Sequence, residues 1–239
     1  MKKRNVLFAS SAVVLIIILG IPSFILLSST FSYQLKSLNS SINECIKSEA
    51  EKAFFISGIQ GGYLFPDKYI VLGDFNISYL HYQGEDLLSP FLVKEQLAAS
   101  IKNGLLNCID FNRFESKGLS IESREIALNL DFEKNFTSLN VTWPIAVGKG
   151  KKSALLENFS MVFPITLEKI YDLSKDIINQ EIENPELIDS TLLLDIEANN
   201  KGINIILLPY QNDTLIYLIT DSDSSIYDNP YVFMFASKH

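Results

Sequence analysis

Histidine is the first residue type to consider for catalysis, because its imidazole exchanges protons near neutral pH. The sequence holds two histidines, His81 and His239. A Ser/His/Asp or Cys/His arrangement would have to use His81, which lies on a predicted strand that ends at a turn. No serine stands in a GxSxG motif, and an ordinary half-exposed strand histidine is the simpler interpretation. We therefore predict no catalytic residue and no cofactor, and we expect that the protein is not an enzyme.

A second candidate for chemistry resembles the start of a calcium-binding loop. Asp221, Asp223 and Ser225 could supply oxygen ligands at loop positions 1, 3 and 5. The sixth position is Ile226 instead of glycine, and the twelfth is Val232 instead of glutamate. We therefore expect these residues to form a solvated hairpin turn between two C-terminal strands, and we predict no metal site.

The two cysteines, Cys45 and Cys108, are too far apart for a redox CxxC motif and too few for a zinc site. In an oxidising compartment they could form one disulfide, and otherwise they would be buried free thiols. We favour the disulfide, because both cysteines lie in the part of the chain that the N-terminal segment is predicted to export.

Asn-x-Ser/Thr sequons recur along the same part of the chain and predict a glycosylated outer surface. The candidate asparagines are Asn39, Asn76, Asn135, Asn140, Asn158 and Asn212. The sequence is rich in asparagine and serine, so some of these sequons are expected by chance.

The N-terminal segment determines the predicted location. Val6 to Leu27 is a run of 22 residues without a charge, and Lys2, Lys3 and Arg4 stand in front of it. As a helix the run would span roughly 33 Å, about one bilayer core. We therefore predict a single-pass anchor in the lipid bilayer of the cell membrane, with the N-terminus cytoplasmic and the domain extracytoplasmic. A cleaved signal peptide with its apolar region from Ala12 to Leu19 is the alternative.

Two helices are predicted in the first half of the exported part. Apolar residues recur at spacings of three and four from Leu35 to Phe54, which indicates an amphipathic helix that ends at Gly58. Ser89 and Pro90 are typical of a helix start, and the second helix is predicted to end near Cys108. The proposed disulfide would then join the end of this helix to the middle of the first.

The rest of the chain is predicted to be mostly strands, with one long helix that Thr166 caps and Pro185 closes. The predicted strands are Tyr69 to Leu72, Phe75 to Tyr82, Ile126 to Phe132, Leu139 to Ile145, Leu156 to Pro164, Leu192 to Glu197, Ile203 to Pro209, Thr214 to Thr220 and Tyr231 to Ala236. The predicted fold class is α+β: a transmembrane helix continues into an amphipathic helix, and antiparallel sheets with two further helices follow. We divide the chain into residues 1–30, 31–118 and 119–239, and the second boundary could lie inside one domain.

Several short motifs carry a resemblance to a protein group. They are Gln60-Gly61-Gly62-Tyr63, Trp143-Pro144-Ile145, Ile170-Tyr171-Asp172, the segment from Tyr210 to Tyr217, Thr220-Asp221 and the segment from Pro230 to Ala236. Together they resemble uncharacterised single-pass, membrane-anchored surface proteins of small-genome archaea. The resemblance runs from the N-terminal run to the C-terminus, and it implies an anchored surface protein without an assigned activity.

The expected function is a non-enzymatic envelope, adhesion or assembly role for a membrane-anchored extracytoplasmic domain. Other envelope proteins or a second copy of the chain are its candidate partners. The net charge of −8 argues against nucleic acid as a partner. A pilin-like surface filament subunit and a tethered ligand-binding or sensor domain are the alternatives, and an enzyme is the least favoured one.

Overall fold

Helices and strands follow one another along a mixed α+β chain. The computed structural model describes residues 4–183, 190–211 and 213–238, with the backbone alone for residues 4–29 and residue 190. The helices in this part are α1 (Arg4–Ile59), α2 (Pro90–Cys108), α3 (Asn112–Glu115), α4 (Leu167–Glu183) and α5 (Ser190–Asn199). The strands are β1 (Tyr69–Leu72), β2 (Phe75–Tyr82), β3 (Glu85–Asp86), β4 (Ser120–Ser123), β5 (Ala127–Phe132), β6 (Thr137–Lys149), β7 (Lys152–Phe163), β8 (Ile203–Tyr210), β9 (Thr214–Ile226) and β10 (Asn229–Lys238).

The first sheet has six strands and brings β1 and β2 together with the three C-terminal strands. Its order is β1-β2-β10-β9-β8, and the short β3 also pairs with β2. Strand β10 runs parallel to β2, with Ala236 opposite Tyr79, whereas the other pairs in this sheet are antiparallel. The prediction of purely antiparallel sheets is therefore wrong at this one pair.

The second sheet has four strands around the long central strand β6. Strand β7 pairs along one side of β6, while β4 and β5 pair with its two halves on the other side. Alternate residues of β6, from Leu139 to Val147, are buried, and the residues between them face outward. This period of two places one face of the sheet on the core, as its sequence predicts.

The C-terminal end of α1 lies unusually close to the backbone of β10. A Cβ atom added at Gly58 would overlap the carbonyl oxygen of Val232 and would lie 2.8 Å from the hydroxyl oxygen of Tyr231. That hydroxyl donates a hydrogen bond of 3.2 Å to the carbonyl of Phe54. Gly61 then takes a φ of 73°, which lets the chain leave the helix directly over the sheet.

One cluster of buried apolar side chains contains residues from both predicted regions, 31–118 and 119–239. The predicted stripe of α1 supplies Leu38, Ile42, Ile46 and others, all fully buried. Phe54 from this stripe meets Phe163 of β7 edge-to-face, with ring centroids 5.1 Å apart. The helix therefore packs against both sheets.

Three predictions about individual elements are wrong. Leu192 to Glu197 was expected to be a strand but belongs to helix α5, since a short apolar run does not by itself distinguish a buried strand from a helix. Two further helices were expected beyond α1, whereas the described chain also contains α3 and α5. The expected turn from Asp221 to Ser225 lies inside β9, and Tyr227 and Asp228 make the turn, with φ of 50° and 61°.

The structure also contradicts the predicted single-pass anchor. Among the residues whose side chains are described, no helix is long and apolar enough to cross a bilayer. The side chains of Val6 to Leu27, on which the prediction rested, lie outside this part. From residue 30 onward α1 carries exposed Lys36, Glu44 and Lys47 beside its buried stripe, a pattern of a helix packed on a protein core. We therefore withdraw the anchor, the bilayer as a partner and the single-pass localisation.

Gly58 on α1 and Gly104 on α2 give a matched test of the close approach between α1 and β10. Gly58→Ala should destabilise the fold by about 1–3 kcal/mol, because the new methyl group meets a backbone carbonyl and a buried tyrosine. At Gly104, on α2, an added Cβ would meet only the flexible carboxylate side chain of Glu49. Gly104→Ala should therefore stay within about 1 kcal/mol of the wild type, since alanine also favours the helix.

Urea unfolding of the full chain measures both variants. Equal free energies of unfolding for Gly58→Ala and Gly104→Ala would show that α1 does not approach β10 as closely as described.

Candidate functional site

His81 lies near the end of β2, in a buried polar cluster. Its Nδ1 atom is 2.9 Å from the hydroxyl oxygen of Ser237 on β10 and 3.5 Å from a carboxylate oxygen of Glu181 on α4. Its Nε2 atom accepts a hydrogen bond of 3.1 Å from the backbone N–H of Gly84. Because Nε2 is an acceptor, we infer that the proton of the neutral ring sits on Nδ1 and points at Ser237.

Glu181 is the acceptor at the centre of this cluster. The hydroxyl of Ser237 donates a short hydrogen bond to one carboxylate oxygen, and Tyr217 on β9 donates one of 2.5 Å to the other. Burial, and secondly the neighbouring Glu181, raise the pKa of Tyr217 far above its usual range, so this hydroxyl stays a donor. The cluster thus connects α4 to three strands of the six-stranded sheet.

The serine, histidine and glutamate of this cluster do not form a catalytic triad. In a triad the imidazole stands between the nucleophile and the acid, and its two nitrogens serve these two groups. Here Ser237 bonds to the histidine and to the acid itself, while the second nitrogen is occupied by Gly84. Ser237, His81 and Glu181 are 0%, 2% and 5% exposed, so a substrate carbonyl cannot reach the hydroxyl.

Sequence reasoning missed Glu181 and Tyr217, although one signal existed. Glu181 falls three and four positions after Ile178 and Ile177, on a buried stripe of α4 that is apolar except for Ser174 and the hydroxyl of Tyr171. A carboxylate on a buried stripe requires hydrogen-bond donors from another element. The sequence could therefore have indicated that Glu181 is a buried polar residue, but it could not have identified Tyr217 and Ser237 as its hydrogen-bond donors.

Asp221 was expected in a solvated turn and is fully buried instead. One of its carboxylate oxygens accepts hydrogen bonds of 2.6 Å from the hydroxyls of Thr166 and Ser224. The other accepts one of 3.0 Å from the backbone N–H of Asp223. In the register of β9 and β10, Tyr231 pairs with Asp221 and Pro230 with Ser225, so residues 222–224 bulge out between them.

This bulge joins the start of α4 to β9. The Ser224 hydroxyl also accepts the backbone N–H of Thr166, the residue directly before α4. The sequence predicts that the side chain of Thr166 caps α4. Its hydroxyl instead donates a hydrogen bond to Asp221. Within the described residues, no group of three or more His, Cys, Asp or Glu side chains is arranged to hold a metal ion.

Cys45 and Cys108 form a disulfide-compatible pair, as predicted. Their sulfur atoms are 2.08 Å apart and their Cα atoms 6.0 Å apart. Cys45 is buried in the middle of α1, and the exposed Cys108 is the last residue of α2. The pair therefore fixes the end of α2 on α1.

The sequon asparagines differ in their exposure to solvent, and their glycosylation stays a prediction. The exposed ones are Asn135, Asn140 and Asn158, and the half-buried ones are Asn39 and Asn76. Asn140 accepts a hydrogen bond of 2.8 Å from Ser160, its cross-strand neighbour on β7. Asn212 lies outside the described residues.

The most unusual surface feature is the edge strand β1. Tyr69, Val71 and Leu72 are 45%, 60% and 38% exposed, and Ile70 is half-buried. In the described chain β1 is the last strand of the sheet and pairs with β2 alone. The segment thus presents apolar side chains, with no charge, proline or bulge, along an open sheet edge.

A small cavity of about 230 Å³ lies beside β1, where the preceding loop meets α2. Aromatic and aliphatic side chains line most of it, including Tyr63, Phe65, Tyr79 and Leu92. Gln96 fixes the loop, because its side-chain oxygen accepts the backbone N–H groups of Leu64 and Phe65. Lys68, the residue directly before β1, belongs to its lining, so this shallow pocket borders the start of the strand.

Comparisons with known proteins identified no relative of this chain. No protein-family model matches it, and no curated protein or solved structure was found to be similar. The resemblance to archaeal surface proteins therefore stays an untested expectation.

Two buried tyrosines give a matched test of the polar cluster. Tyr217→Phe removes a donor to Glu181 and should lower the free energy of unfolding by about 1–3 kcal/mol, because a buried carboxylate loses one of its hydrogen bonds. Tyr171→Phe removes the one buried side-chain polar atom of the described residues that lacks a hydrogen bond, so stability should stay equal or rise slightly. Thermal and urea unfolding measure both variants, and equal losses would contradict the role given to Glu181.

The cysteine pair is tested by counting thiols. Unfolded, unreduced protein should take up no thiol label, and reduced protein should take up two labels per chain. The bond closes a loop with a sequence separation of 63, which corresponds to roughly 4 kcal/mol of stability by the loop-entropy estimate. Reduction should therefore also lower the urea midpoint. Two labels before reduction would show that the cysteines are free.

Proposed function

We propose that this protein is a non-enzymatic assembly protein, and that it binds a protein partner through the open edge of strand β1. The exposed apolar segment from Tyr69 to Leu72 is the observation that carries the proposal. An open strand edge offers backbone donors and acceptors to an added strand, and exposed apolar side chains add area that binding can bury.

A comparison with strand β8, at the opposite edge of the same sheet, supports the choice of β1. There Glu197 of α5 accepts the backbone N–H of Ile205 at 2.6 Å, and Pro209 has no N–H to offer. Folded proteins protect their sheet edges with such devices, because unprotected edges pair with other chains. Strand β1 is short, with four residues, but it has no proline, and no side chain of the described residues bonds to its outer backbone groups, which favours a natural partner at this edge.

The polar residues support a binding role over a catalytic one. His81, Glu181 and Asp221 are the buried groups to which chemistry could be assigned, and each is hydrogen-bonded inside the fold. The cysteines face each other as a disulfide-compatible pair. The exposed side chains of Tyr69 and Val71 on β1 have no packing role in the described part of the chain.

The two alternative functions receive less support. A filament built by joining β1 of one copy to β8 of the next would have to displace Glu197 from the β8 backbone. A sensor for small molecules would need a largely apolar pocket of roughly 300–1,000 Å³. Depressions of about 340, 370, 510 and 560 Å³ reach this size, but at least four of the residues that line each of them are polar or charged.

Site-specific photo-cross-linking in cells that express the full chain tests the proposal. A photo-reactive residue at Val71 should give a discrete cross-linked product, because this side chain would lie inside the interface. The same residue at Val162 on β7, which is similarly exposed at 65% against 60%, is the matched control and should give none. No product at Val71, or the same products at both positions, would overturn the assembly role.

A further inference from the structure

We propose that the partner at β1 is a second copy of this chain, and that two β1 strands pair antiparallel across a two-fold axis. The two six-stranded sheets would then form one continuous sheet. This inference rests on the assembly function proposed above and names its partner.

The direction of the free backbone groups sets the geometry. The carbonyl of Lys68 faces β2, where it accepts the N–H of Tyr79 at 2.9 Å. In an antiparallel pair, successive residues point their backbone groups alternately toward and away from the neighbouring strand. Tyr69 and Val71 therefore present their N–H and C=O groups at the open edge.

A two-fold axis at Ile70 gives the free N–H and C=O groups of Tyr69 and Val71 hydrogen-bond partners. It places Tyr69 of each copy opposite Val71 of the other, so that each such pair can exchange two backbone hydrogen bonds. The most exposed side chains of the strand then form two aromatic–aliphatic cross-strand pairs on one face. Pairs of an aromatic and a β-branched residue are among the favourable ones in antiparallel sheets.

The charges at the ends of β1 favour this orientation. Lys68 precedes the strand, and Asp74 follows it in the turn to β2. Antiparallel pairing in this register places Lys68 of each copy diagonally across from Asp74 of the other on one face of the sheet, so this contact of opposite charges forms twice, while Asp67 lies opposite Gly73 on the other face. Parallel pairing would place Lys68 beside Lys68 and Asp74 beside Asp74.

Lys68 can take part in such a contact. Its amine lies 2.8 Å from a carboxylate oxygen of Glu85, and the two side chains are 41% and 65% exposed. An exposed ion pair of this kind rearranges at little cost. Closed two-fold pairing also leaves no second unprotected edge in the six-stranded sheet, since Glu197 and Pro209 protect β8.

Sedimentation velocity of the purified full chain over a range of concentrations tests the proposal. The wild type should approach the mass of two chains as its concentration rises. Val71→Lys should halve that mass, because the charge enters an apolar pair, whereas Val162→Lys should leave it unchanged. Far-UV circular dichroism should show the same fold in all three proteins, since both valines are exposed.

A charge exchange tests the orientation. Lys68→Asp and Asp74→Lys alone should each weaken self-association several-fold, and the double variant should restore most of it. Failure of the double variant to restore association would overturn the antiparallel arrangement.

The outcome also separates this inference from the assembly function. A wild type with the mass of one chain at every concentration, together with a Val71 cross-link to a different protein, would overturn self-pairing and leave the assembly function standing. A mass of two chains that Val71→Lys does not reduce would place the contact elsewhere and would overturn self-pairing through β1.

Discussion

The close packing of the end of α1 on β10 is the contact on which the rest of the structure depends. Gly58 allows it, because any side chain there would overlap the Val232 carbonyl. The contact fixes where the helix ends relative to the sheet, and it therefore fixes Gln60. The carbonyl of Gln60 accepts the N–H of Ser78, and its side-chain oxygen accepts that of Asn76. Strand β10 pairs with β2 only from Tyr79 onward. Gln60 therefore supplies the hydrogen-bond partners on this side of the first half of β2.

This arrangement explains why β1 is both ordered and open. The first half of β2 has the Gln60 loop on one side, so only its other side is free to pair with β1. The β1–β2 hairpin consequently extends past the end of β10, and nothing in the described chain covers its outer strand. A short hairpin is marginal in water by itself. Its support from Gln60 makes β1 a pre-formed edge, which lowers the ordering cost when a partner strand is added.

The buried carboxylates are used to hold one helix at both of its ends. Asp221, through Thr166 and Ser224, fixes the start of α4, and Glu181 fixes its last turns through Tyr217 and Ser237. Each carboxylate accepts two hydrogen bonds from hydroxyl groups, which offsets the cost of burying its charge. The groups that look most suited to chemistry in the sequence are thus engaged in positioning α4 against the six-stranded sheet.

Most helices and strands could be predicted from the sequence, because the spacing of their own apolar residues shows a helical or a strand period. The stripe of α1, the Ser89-Pro90 start of α2 and the strands around Lys134 all have such periods. The parallel pairing of β2 with β10, like the burial of Asp221, depends on residues more than fifty positions away, and no local pattern records it. The proposed binding site at β1 also depends on distant residues. The sequence shows that Tyr69 to Leu72 is an apolar strand, but its value for binding comes from its place at the edge of the sheet, which the packing of α1 on β10 decides.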